Sequence, residues 1–159
     1  MKKSKPALPE PQPGTVVCIP LPDGRYAYAK VFRGNDFGVY DLVSRPPASL
    51  AEVSTHPFLY HQLGTDEAVR SGAWPTLGIE PFADEESAWG PPQAGGIYPD
   101  MEIDPIMLQI QHKGRLRRAS LEEVQGLDIA WICQTPEQFV ETLEQRLLRR
   151  DHSGRRVGA

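Results

Sequence analysis

The chain is short of cysteine, of long apolar runs and, over one stretch, of positive charge. Two cysteines, Cys18 and Cys133, stand far apart in 159 residues. Each lies in an apolar run, so both read as buried, reduced small hydrophobes and not as a disulfide framework. No run approaches the roughly 20 apolar residues of a membrane span. The basic start Met1-Lys2-Lys3-Ser4-Lys5-Pro6 leads into prolines where a secretion signal would carry an apolar core. A cytoplasmic protein without membrane contact is expected.

Signatures of chemistry are missing too. His56, His61, His112 and His152 are spaced wrongly for a metal site, so no metal or other cofactor is expected, and they read as surface or capping groups. Gly95-Gly96 lacks the Lys and Ser/Thr of a phosphate-binding loop, and no serine has a nucleophile-elbow context. Asp84, Glu85 and Glu86 are candidates for acid–base work, but a charged run usually marks a solvated face. A hydrolase built on them would need a pocket holding at least one with a raised pKa. Net charge is −4, which argues against nucleic-acid binding. The protein is therefore expected to act by binding and not as an enzyme.

What is present is one domain's worth of chain. Residues 1–13, ending Pro9-Glu10-Pro11-Gln12-Pro13, read as a disordered leader because proline lacks the donor and fixes φ. Residues 14–150 read as a single α+β domain. Its opening predicts three antiparallel strands, at 15–21, 25–32 and 37–43, joined by turns at Pro22-Asp23-Gly24 and Gly34-Asn35-Asp36. In the second, Tyr26, Tyr28 and Lys30 point one way while Ala27, Ala29 and Val31 point the other. Residues 50–53 read as a strand or a helical turn, and 58–60 as a strand. A helical turn capped by Thr65 ends at Ser71-Gly72, and 73–79 is an edge strand held extended by Pro75.

A long loop is predicted over 83–105, then a strand at 106–111 with 115–118 pairing or turning beyond it. Ser120-Leu121-Glu122-Glu123 has capping-box spacing. From Thr135-Pro136 a last amphipathic helix begins, its stripe Phe139, Val140, Leu143, Leu147 and Leu148, and 151–159 is expected to fray. The fold class is thus α+β: an antiparallel, strongly twisted, barrel-like sheet with a short helix and a C-terminal helix. Trp74 and Trp131 read as core.

From Ser71 to His112 there is no lysine or arginine, but there are Glu80, Asp84, Glu85, Glu86, Asp100, Glu102 and Asp104. Trp89, Tyr98 and Met101 are interleaved, residue types that anchor protein interfaces. Glu80, Asp84, Glu85, Glu86, Trp89, Tyr98, Asp100, Glu102 and Asp104 are therefore the candidate partner-binding residues. The other possibility is a solvated loop whose acids serve solubility.

The opening Gly14-Thr15-Val16-Val17-Cys18-Ile19-Pro20-Leu21, with Asp23-Gly24-Arg25-Tyr26-Ala27-Tyr28-Ala29-Lys30-Val31 and Val39-Tyr40-Asp41-Leu42, resembles the immunity protein 26 family of bacterial polymorphic toxin systems. Gly72-Ala73-Trp74-Pro75-Thr76-Leu77-Gly78, Gly126-Leu127 and the closing helix continue the resemblance, which spans roughly residues 14–150. Segment 83–99 departs from it. The resemblance implies an antiparallel-sheet α+β fold and neutralisation of a cognate protein toxin, with no active site. A negative face would steer a basic toxin domain, such as a nuclease. A different reading is a stand-alone interaction module with a peptide docked beside Tyr26, Tyr28 and Tyr40.

Overall fold

The computed structural model describes residues 10–97, 102–130 and 135–157. Trp131, Cys133, Tyr98, Asp100, Met101 and most of the leader lie outside the described residues. The predicted meander forms: β1 (Thr15–Pro20), β2 (Tyr26–Val31) and β3 (Asp36–Ser44) pair antiparallel in sequence order. The 50–53 segment becomes a helical turn, α1 (Leu50–Val53), capped by Ser49. β4 (Phe58–Leu63) returns beside β3 and β5 (Thr76–Ile79) beside β1. Strand order is β4-β3-β2-β1-β5. The edge strands β4 and β5 do not pair with each other, so the antiparallel sheet stays open and is not closed into a barrel.

The alternation in β2 separates two cores, because successive strand side chains face opposite ways. Ala27, Ala29 and Val31 join Val17, Ile19, Phe37, Val39 and Trp74 on one face. Tyr28 joins Val16, Cys18, Tyr40 and Val53 on the other, under α1. Onto the first face packs α4 (Pro136–Val157), through Phe139, Leu143 and Leu147. Phe139, Phe37 and Trp74 meet edge-to-face with centroids 5.0–5.9 Å apart. Leu148, one position past Leu147 and so about 100° further round, is 58% exposed and is not part of the buried stripe.

The helical turn before β5, α2 (Glu67–Ser71), starts one residue later than predicted. Asp66 is its N-cap residue, not Thr65, and Gly72 closes it at φ 80°.

The stretch read as a loop is partly ordered. It carries 3₁₀ turns at Glu86–Ala88 and Pro105–Met107 and a strand, β6 (Gln93–Gly95). β6 pairs with β7 (Gln109–His112), and β7 with β8 (Arg115–Arg118). The β7–β8 turn, Lys113-Gly114, has both residues at positive φ, as a two-residue hairpin turn requires. After β8 the predicted capping box forms, Ser120 and Glu123 bonding reciprocally at the start of α3 (Leu121–Val124). Val124 closes a third small core with Ala94, Leu108 and Ile110.

Candidate functional site

The acidic segment is a strap across the second face of the main sheet. It is anchored where it leaves β5, the Glu80 amide donating to the Gly14 carbonyl at 2.9 Å. Half-buried Glu80 then accepts the Tyr40 hydroxyl at 3.0 Å and stands 3.9 Å from Lys30 Nζ. Lys30 lies over the Phe82 ring, 4.1 Å from its centroid. Phe82 packs on Phe32 at 4.8 Å, and Phe32 on Phe58 at 5.5 Å. Burial, and secondarily the Glu80 charge, push the Tyr40 phenol well above its ordinary pKa.

Further on, the Arg33 amide donates to the Ala88 carbonyl at 2.9 Å, and the Arg33 guanidinium pairs with Glu85 at 2.9 Å. Glu86 pairs with Lys113. Asp84, just before the 3₁₀ turn, accepts from the Ser87 amide at 2.8 Å; that bond holds its carboxyl below the ordinary range. Half-buried Trp89 lies between two hairpin turns, against Gly34 and Gly114.

The strap ends on a buried polar cluster. Asp36 accepts from Gln93 Nε2 at 3.1 Å with one oxygen and lies 3.1 Å from His61 Nδ1 with the other. Gly90 passes so close that a Cβ there would run into Asp36 Oδ2. Beyond it, Asp128 accepts the His61 amide at 3.0 Å and the Arg146 guanidinium at 2.7 Å, covering the outer edge of β4. His61 is therefore buried and bonded, contrary to the surface reading. Its sequence context, Tyr60-His61-Gln62, offers no cue, because Asp36 and Gln93 arrive from distant positions.

Glu80, Asp84, Glu85, Glu86 and Trp89 are thus brought together along one strap. Glu102 and Asp104 are not: they precede the start of β7, while Glu86 is tied to Lys113 just past its end. Asp104 caps the Pro105–Met107 turn. Sequence reasoning missed Lys30, Arg33 and Lys113, three cations from outside the acidic segment that stand against Glu80, Glu85 and Glu86. The face is of mixed sign and not uniformly negative.

Two alternatives lose their basis. Tyr28 and Tyr40 are core residues under α1, so no aromatic groove forms there. Asp84, Glu85 and Glu86 are all exposed, where the hydrolase reading required at least one of them inside a pocket. A cleft of about 540 Å³ does exist, between β4, residues 126–129 and α4. Its walls include His61, Asp128 and Arg146 but none of the predicted site residues, and Asp128 already satisfies Arg146. Among the described residues no group of three or more His, Cys, Asp or Glu could hold a metal ion, and no helix is long and apolar enough to cross a membrane.

The family model described as immunity protein 26 matches residues 12–92, from the approach to β1 through the strap. No curated protein and no solved structure matches the chain.

Proposed function

The chain belongs to the immunity protein 26 family, and from that premise we propose that it binds and neutralises a cognate polymorphic toxin in the cytoplasm of the bacterium that carries it. The observation that carries the reading is the family match over residues 12–92, which takes in the main sheet and the strap together. Neutralisation by binding needs a stable scaffold and one surface that mates tightly, and no reacting group.

The strap is the surface we assign to the toxin. Its carboxylates at 84–86 are exposed, and Phe82 and Trp89 flank them in sequence as anchor types. A basic toxin domain, such as a nuclease, fits this arrangement. The Arg33–Glu85 and Lys113–Glu86 pairs are exposed; such pairs contribute roughly 0–1 kcal/mol, so a partner's cations can replace Arg33 and Lys113 at little cost.

Co-expression with the toxin-like product of a neighbouring gene tests the function. Cell survival together with a co-purifying complex is the expected result. Folded protein that neither rescues nor binds would overturn the proposal.

A further inference from the structure

Past the matched residues, the second sheet ends in a strand with nothing beside it among the described residues. β8 is the outer strand of β6-β7-β8, and all four of its residues are exposed. The Ala119 amide donates inward to the Leu108 carbonyl at 3.1 Å. Alternation from that bond turns the backbone of Arg115 and Arg117 toward β7, and that of Leu116 and Arg118 outward. The outward Arg118 carbonyl takes the neighbouring Arg117 guanidinium at 3.2 Å, an exposed contact.

Charged residues commonly guard an edge strand against pairing. A guarded edge, however, does not account for the exposed apolar side chain on this one. Leu116 is 63% and Ile106 69% exposed, and Met107 and Leu121 are exposed as well. Leu116 lies on the open edge strand itself, where an incoming strand would cover it.

We propose that the open edge of β8 docks an extended, acidic segment of a partner protein, which joins β6-β7-β8 as a fourth strand. The charge decides the occupant. Arg115, Arg117 and Arg118 fill three of four positions; Arg117 faces Glu123 at 3.3 Å, and Arg115 and Arg118 have no carboxylate partner among the described residues. A second copy pairing β8 to β8 would set arginine against arginine, and like charges directly opposite are destabilising. Carboxylates on the incoming strand remove that conflict. Its backbone would meet the outward groups of Leu116 and Arg118, and its alternate apolar residues would cover Leu116. The site does not depend on what the strap binds.

The test is amide-resolved NMR of the full chain, titrated with a peptide of about eight residues alternating valine and glutamate, and with its valine–lysine counterpart. Saturable shifts centred on Leu116 and Arg118 are expected with the acidic peptide only. Leu116→Pro removes an outward donor and leaves the inward bonds in place, and should abolish them. Arg115→Glu with Arg118→Glu should weaken binding about tenfold or more, with an unchanged circular-dichroism spectrum. No shifts, shifts elsewhere, or equal binding of the lysine peptide would overturn the proposal. So would concentration-dependent broadening of β8 without peptide, which would mean that copies of the chain pair there.

Discussion

Burying a carboxylate is unfavourable unless its oxygens are matched, and Asp36 meets Gln93 with one and His61 with the other. Those partners come from β6 and β4, so one side chain on β3 ties the strap and the second sheet to the first. Asp36→Ala would leave both partners buried and unmatched. It should cost about 2–4 kcal/mol, read as a lower urea midpoint. Gly90→Ala adds a methyl where Asp36 Oδ2 already sits and should cost about 1–3 kcal/mol. Tyr40 predicts a pH effect of definite sign. Its phenol is raised in the folded chain above the ordinary value of 10.0, by burial first and Glu80 second. The folded state therefore holds this proton where the unfolded chain has lost it. Its contribution is fully present below about pH 10 and falls as pH rises above that. Tyr40→Phe should make the alkaline limb of a stability–pH profile shallower; an unchanged limb would refute this assignment.

At the level of elements, α4 shows why periodicity alone is an incomplete guide. Leu143 is fully buried against the sheet, whereas Leu148 is largely exposed, although both fit an apolar stripe by type. Leu143→Ala should cost about 2–5 kcal/mol and Leu148→Ala no more than about 0.5 kcal/mol, measured by chemical denaturation. The strap is the other instructive element. By composition it is loop, since proline and glycine set its texture. It is ordered by contacts to β2, β3 and the β7–β8 turn, none of which is near it in sequence. The hairpins and the Ser120–Glu123 capping box were legible for the opposite reason: each is settled by residues two to four positions apart.

For the whole molecule, the charge pattern matters more than the net charge of −4. Exposed carboxylates stand on the strap, with Glu85 and Glu86 paired to Arg33 and Lys113, and arginines stand on β8. If a basic toxin docks on the strap, association should slow as salt rises, because exposed charges are screened beyond a Debye length of about 8–10 Å. Glu85→Lys with Glu86→Lys should slow it about tenfold or more at low salt in stopped-flow measurements. Rates insensitive to ionic strength would remove the basic-toxin reading and leave immunity by another surface.

The sequence by itself determined what depends on near neighbours: the three-stranded meander, the two faces of β2, the capping box and the last helix. It also carried the family resemblance, since that rests on the order of these same local features. Tertiary structure alone decided that the sheet stays open, that Asp36 and His61 meet beneath Gly90, and that Lys30, Arg33 and Lys113 stand against the acids of the strap. Each of these joins residues more than twenty positions apart. Such pairings are set by which surfaces pack together, and no local spacing records them.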